Sequence, residues 1–333
     1  MPLEMKLKRR IKMKLGVLTV MFGDRPFEDA CKYLSERGVQ AIEIGCGGYP
    51  GKAHCDPEVL LHDEKAFEKF MNTISKYNLE VSALSAHGNG VHPNPEIAAK
   101  FNADFDNAIL LAEKMGVKTV NTFSGCPGGS PEDKMPNWVT CAWPEDYLQI
   151  LDYQWNEVLI PYWKKKVEFA KQHHVERIAF EMHPGFCVYN PETMLRIRAA
   201  VGPELGANFD PSHLVWQGID PVVAIKELKD CMFHFHAKDT RIDKYNVAKN
   251  GVLDTKHYGQ VADRAWVFRS VGYGNSTYYW KEIVSALRTI DYDFVMSIEH
   301  EDSLMTPEEG LNKAIATLKE AMTFEGKAVM WWA

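Results

Sequence analysis

Four apolar runs in the second half of the chain each stop at a side chain able to ligate a metal: Ile178–Glu181, Ala207–Asp210, Phe233–His236 and Val295–Glu299. Three carboxylates and one imidazole, with no sulfur among them, make a hard, oxygen-rich set. It suits Mn²⁺, Mg²⁺, Co²⁺ or Fe²⁺ better than a structural zinc. If the four ends meet in space they form one ion site, with coordination positions left for substrate oxygens. Each residue alone has a plainer explanation: Asp210, before Pro211 and Ser212, could simply cap a helix. The weight lies in the constellation. His234 is assigned to the opposite face of its strand from His236, as a hydrogen-bonded structural histidine. His183 and His213 lie two or three residues past proposed ligands and could orient a carboxylate or carry a proton near neutral pH.

The elements that would bring these ends together alternate along the chain. Leu15–Val20 is a short apolar run, and Asp24 and Pro26 open a helical pattern that ends at Gly38. Ala41–Ile44 is a second strand, followed by the glycine-rich loop Gly45–Gly51 and by a helix expected over about Asp63–Lys76. Strands at 81–85 and 119–123 flank a long helix marked by Ile97, Phe101, Phe105, Ile109, Ala112 and Met115. A helix is expected over about Asp152–His174, then strands at 177–181 and 206–210 with helices after each. Strand seven is Phe233–Asp239 and strand eight Phe294–Glu299, with helices over Tyr278–Arg288 and after residue 310. Two stretches, about 125–148 and 240–275, lack clear periodicity and are expected to be insertions. The second is long for a connection, which suggests a lid or binding loop where specificity is decided.

Eight β-α alternations without a composition shift imply one α/β domain, a (β/α)8 TIM barrel with parallel strands and right-handed crossovers. A doubly wound sheet would more usually show Gly-x-Gly-x-x-Gly after its first strand, where this chain has Met21–Pro26. The barrel's chemistry sits at the C-terminal ends of its strands. There Glu43, His87 and Asn121 could bind substrate hydroxyls, and Asp239 and Lys238 could reach substrate from strand seven. Arg269, ahead of the turn Ser270–Asn275, could hold a hydroxyl, carboxylate or phosphate. Trp143, Trp216 and Trp266 are candidates for stacking on a sugar.

The 333 residues are 46% hydrophobic and 25% charged, enough for a barrel of about 250 residues with insertions. No apolar run approaches the roughly 20 residues that span a bilayer, and no signal-peptide pattern opens the chain, so a cytoplasmic protein without membrane contact is expected. The seven cysteines include no Cys-x-x-Cys pair and suggest neither a disulfide framework nor a thiolate zinc site. A net charge of −7 argues against a broad nucleic-acid surface. Met13 opens the first strand so directly that residues 1–12 are expected to be a basic tail outside the fold, with the barrel over 13–333. Trp331 and Trp332 hint at a contact surface and leave a homo-oligomer open.

Phe180–Gly185, Asn208–His213, His236–Asp239 and Ser297–Glu299 resemble motifs of the xylose isomerase-like TIM-barrel superfamily, in its sugar phosphate isomerase/epimerase branch. That branch includes ketose 3-epimerases and inosose-processing enzymes, and the resemblance runs over roughly residues 13–322. It implies that Glu181, Asp210, His236 and Glu299 ligate one divalent metal, Mn²⁺ ahead of Mg²⁺, Co²⁺, Fe²⁺ or Zn²⁺. It implies too that Glu181 and Glu299 exchange protons with the substrate and that His213 lies against its oxygens, which ranks His213 above His183. The implied activity is isomerisation or epimerisation of a small-molecule keto-sugar or cyclitol. An ion chelating a carbonyl and its neighbouring hydroxyl would stabilise the enediolate left when the α-proton departs. Related dehydratases and lyases begin from the same enolisation and are the alternative. An endonuclease IV-like phosphodiesterase, sharing the barrel, is disfavoured because it would need more ligands and a basic groove. A sugar-binding barrel without catalysis is disfavoured by the presence of both glutamates.

Overall fold

Runs such as Ala41–Gly45 and Val295–Ile298 are apolar or small at nearly every position, as parallel strands covered on both faces require. The computed structural model describes residues 13–327 and 330–332, so the expected tail at 1–12 lies outside the described residues. Eight parallel strands close into a barrel: β1 (Lys14–Leu18), β2 (Ala41–Gly45), β3 (Glu80–Ser85), β4 (Thr119–Thr122), β5 (Arg177–Glu181), β6 (Leu205–Phe209), β7 (Met232–Ala237) and, completing the ring, β10 (Val295–Ile298). Two further strands stand outside it, β8 (Asp239–Ile242) and β9 (Trp266–Arg269). The chain is thus the TIM barrel that the alternation predicts.

Helices follow the barrel strands, and many begin where a short polar side chain meets proline. Asn94, Asp210, Asp220 and Thr306 each cap a helix with proline in its first turn, and Asn190 forms a reciprocal cap with Thr193. The helix expected from Asp152 starts earlier, at Asp146, and passes through a π-helical stretch, Tyr153–Leu159, before Ile160–Gln172. Within that stretch the buried Gln154 amide donates to the carbonyls of Pro127, Gly128 and Asn137. This anchors the first insertion on the helix that follows it. No helix among the described residues is long and apolar enough to cross a membrane.

The long connection after β7 is not a structureless lid. β8 and β9 pair antiparallel, with Asp239 opposite Arg269 and Ile242 opposite Trp266. Asn246, on the helix Lys244–Asn250 between them, donates to the carbonyls of Ala262 and Arg264 and ties the excursion back to the hairpin. Trp216 and Trp266 stack with ring centroids 4.6 Å apart, joining the hairpin to the segment after β6.

Candidate metal centre and active site

The barrel interior carries an uncommon polar layer. TIM barrels usually fill this space with Val, Ile and Leu, but here Glu43 from β2 is fully buried and bonded on every side. Its carboxylate accepts from Ser85 and Asn121 and from Ser297 at 2.8 Å, and both of its oxygens lie 2.9 Å from His236 Nε2. His234 shares the layer, with Nδ1 3.1 Å from Asn208 Oδ1 and Nε2 3.1 Å from Ser82 Oγ. The assignment of His234 to the opposite face is therefore corrected. Successive strand residues alternate, so positions two apart share a face, and His234, His236 and Lys238 all point inward. The outward Phe235 stacks on Phe209 at 5.5 Å. The hydrogen-bonded role expected of His234 agrees with these contacts.

At the C-terminal end of this layer Glu181, Asp210, His236 and Glu299 each offer an atom within 4.8 Å of the others. Asp210 does two things at once. Its Oδ1 accepts from the Ser212 amide at 2.8 Å as a helix cap, while Oδ2 turns into the cluster. His236 Nδ1 lies 3.3 Å from Glu181 and 3.0 Å from Glu299. Asp210 Oδ2, His236 Nδ1 and Glu299 Oε2 are shielded from water and make no geometrically sound hydrogen bond. Buried polar atoms are normally satisfied, and three orphans facing one point mark a place for a cation. The Lys238 ammonium acts as a stand-in there, 3.1 Å from Asp210 Oδ2, 2.8 Å from Glu299 Oε2 and 2.9 Å from Glu301.

Two other groupings could hold an ion by distance, Glu43 with His234 and His236, and Glu181 with His183 and His213. The first has its donors and acceptors matched within the barrel. In the second, His183 Nδ1 meets the Pro184 carbonyl at 2.6 Å and His213 Nε2 meets Glu181 Oε1 at 2.9 Å. The donor set of Glu181, Asp210, His236 and Glu299 is the one that fits a divalent ion. Glu43 at Nε2 also leaves the Nδ1 lone pair of a neutral His236 directed at the cluster.

Electrostatics support the fit. Burial raises the Glu181 carboxyl, but the hydrogen bond to His213, the nearby His236 and His87 rings and the Lys238 ammonium outweigh it and hold the group well below its usual range. Burial likewise opposes ionisation of Glu299, yet Lys238 and His236 bring it down to about 2. Asp210 goes the other way. Burial, with Glu181 and Glu299 nearby, pushes it up to about 7 despite Lys238 and His236. Burial disfavours charge on His236 and Lys238 too, but the surrounding carboxylates raise both well above their ordinary values in the protein alone, so binding of an ion here would release the His236 Nδ1 proton.

A cavity of about 160 Å³ opens beside the cluster, walled by Tyr49, His87, Phe123, His183, Lys238 and Glu301 among others. His87 Nε2 lies 3.1 Å from Glu181 Oε2. The glycine-rich loop passes over this wall, and Gly48 has φ +64°, where an added Cβ would collide with the His87 carbonyl. Several expected substrate contacts lie outside this cavity. Glu43 and Asn121 are in the layer beneath, fully buried and bonded to protein. Asp239 accepts from the amides of Gly272, Gly274 and Asn275 and from the Trp280 indole, so it organises the turn after β9. Arg269 is engaged with Asp302, Nε to Oδ2 at 3.0 Å. Trp216 lines a neighbouring cavity with His183 and His213. The expected stacking residue Trp143 is 78% exposed and lines neither cavity. The contributions of Asn208, Ser297 and Glu301 were not anticipated, though polar residues inside otherwise apolar strands were a visible signal for the first two.

The chain matches the xylose isomerase-like TIM-barrel family model over residues 31–321 and belongs to that family. The family holds sugar isomerases and epimerases as well as dehydratases. The chain is 40% identical over 313 residues to the uncharacterized protein YfiH of Bacillus subtilis, covering 93% of this chain and 100% of that one. It is 26% identical over 258 residues to the inosose dehydratase of Mesomycoplasma hyopneumoniae, across 73% of this chain and 75% of that protein. Among solved structures, the IolI protein with a bound zinc atom shares the fold at TM-score 0.62 and 19% identity, over 93% of this chain and 96% of that one.

Proposed function

We propose that this protein is a divalent-metal-dependent sugar isomerase or epimerase that moves a proton next to the carbonyl of a keto-sugar or cyclitol. The carrying observation is the set of buried atoms without a hydrogen-bond partner on Asp210, His236 and Glu299, gathered with Glu181 beside a small cavity that Glu181 and Glu299 line. When bound, a divalent ion supplies Lewis-acid polarisation of a substrate carbonyl and its neighbouring hydroxyl. The remaining work falls to side chains. Glu181, ionised and held by His213, and Glu299, held beside Lys238, are the two proton carriers. The Glu181 carboxylate takes the α-proton, and Glu299 returns to the carbon a proton that it draws from the Lys238 ammonium 2.8 Å away, inverting the carbon or shifting the carbonyl. The Lys238 ammonium and His87 face the same space and steady negative charge on substrate oxygens, while Tyr49 and Phe123 narrow access for water.

Dehydration is the second reading, favoured by the similarity to an inosose dehydratase. It uses the same first proton removal, after which a neighbouring hydroxyl leaves as water with a proton from the site. Metal-stripped protein incubated with ketoses and inososes in D₂O, with and without Mn²⁺, tests both. Metal-dependent deuterium entry at the carbon next to the carbonyl is expected. Retention of all substrate oxygens identifies isomerisation or epimerisation, and loss of water identifies dehydration. No metal-dependent exchange across the panel would remove the proposal.

A further inference from the structure

Beside the reaction cavity lies a second chamber of about 380 Å³, and His183 is part of both walls. Its lining is aromatic: Trp138 from the first insertion, Trp216 after β6, and Tyr258 and Trp266 from the β8–β9 excursion, with Leu253 at its edge. The two insertions therefore meet over one space. Among the described residues no lysine or arginine lines it, and the one lining carboxylate, Asp254, is occupied by the Lys256 ammonium, 2.8 Å away behind the wall, and by the amides of Lys256 and Ala265. A phosphate or other charged group finds no counter-ion in such a chamber. Trp216, 5% exposed, and Trp138 both carry indole N–H groups with no acceptor in the protein. Unmet buried donors are uncommon, and an occupant bearing oxygen would bring acceptors to this wall. The reaction cavity, about 160 Å³, has space for little more than one reacting ring.

We propose that the second chamber is a subsite for a further uncharged ring, so that the preferred substrate is a keto-sugar or cyclitol linked to another sugar or to an aryl group rather than a free monosaccharide. The flat indole faces suit the C–H face of a pyranose or an aryl ring equally. The inference rests on the proposed chemistry of the adjoining cavity only in naming which ring reacts.

Calorimetric titration of Mn²⁺-loaded protein with glucose, cellobiose and phenyl β-glucoside tests it, because these unreactive probes report binding without turnover. At least one two-ring probe should bind about tenfold or more tightly than glucose, and the better of the two identifies the second ring as sugar or aryl. Leu253 is 63% exposed, so Leu253→Arg can block the chamber without disturbing the core. It should erase the preference while leaving Mn²⁺ affinity and melting temperature unchanged. Trp216→Phe, which keeps a ring and removes the N–H, should reduce the preference severalfold. Equal binding of all three probes, or a preference that survives Leu253→Arg, overturns the proposal. A two-ring preference without metal-dependent deuterium exchange would instead sink the proton-transfer reading and leave the subsite standing.

Discussion

Two carboxylate-histidine groupings lie one above the other in this barrel and share His236. In the lower, Glu43 meets Ser85, Asn121, Ser297 and His236, and each of its oxygens is engaged. In the upper, Asp210 Oδ2, His236 Nδ1 and Glu299 Oε2 are as dry but unmatched. By residue type and distance both groupings could hold an ion. What separates them is satisfaction: the lower one is matched by protein hydrogen-bond donors, whereas the upper one gathers carboxylates around a single protein cation, the Lys238 ammonium, and is the grouping that could take a divalent ion. His236 links the two, since Glu43 at Nε2 sets what Nδ1 offers above.

That contrast can be broken most directly at the upper site. Glu181→Gln and Glu299→Gln should each lower metal-dependent deuterium exchange by about 10²- to 10⁴-fold, the range for a positioned acid or base, with the circular dichroism spectrum unchanged. Full exchange in either variant would remove that residue from proton transfer. In the lower site Glu43→Ala should cost about 3–5 kcal/mol, as expected when one partner of a buried pair is deleted, read as a loss of melting temperature. It should also weaken Mn²⁺ binding by about 10- to 100-fold through His236. If Glu43→Ala proves as well tolerated as Asp210→Asn, the distinction between the layers fails.

Metal itself should act on the upper grouping alone. Mn²⁺ at about 100 times its Kd should stabilise the wild type by about 2.7 kcal/mol, reversed by chelator and lost in Asp210→Asn. Without metal, Asp210→Asn carries a pH signature. Asp210 is pushed up to about 7 by burial and by Glu181 and Glu299, above the unfolded value of about 3.9. Such a group favours folding below its unfolded pKa, and that contribution is lost as pH rises through the folded value. The melting-temperature gain of metal-free Asp210→Asn should therefore be larger at pH 8 than at pH 5. The smallest effect is expected of Ser297→Ala, which deletes one of several hydrogen bonds to Glu43 and should cost about 1 kcal/mol.

Much of this was readable along the chain because each β-α unit carries its own signals. Strand interiors are apolar and small, helices open on Asn, Asp or Thr before proline, and strand ends stop at Glu181, Asp210, His236 and Glu299. Glu43 and Asn121 look like strand ends in the sequence, but they lie inside β2 and β4, whereas Glu181 is the last residue of β5. Strand tilt makes the difference, because in a closed barrel residues in register on neighbouring strands stand at different depths. Glu181 pairs with Asn208 in register, yet Glu181 borders the cavity while Asn208 bonds within the layer below. Asp239 is placed apart for a related reason. It follows the strand that carries His236, but its carboxylate is claimed by a turn some 33–36 residues further on.

By itself, then, the sequence determined the barrel and the four side chains at the ends of β5, β6, β7 and β10, since local periodicity and the alternation of elements leave little else to build. Only the tertiary structure decided which polar strand residues face the cavity and which are spent beneath it, and that Lys238 stands among the candidate ligands. It also decided that two insertions distant in the chain close over one aromatic chamber. Depth within a tilted barrel and the meeting of distant loops are properties of closure, and no single stretch of chain encodes them.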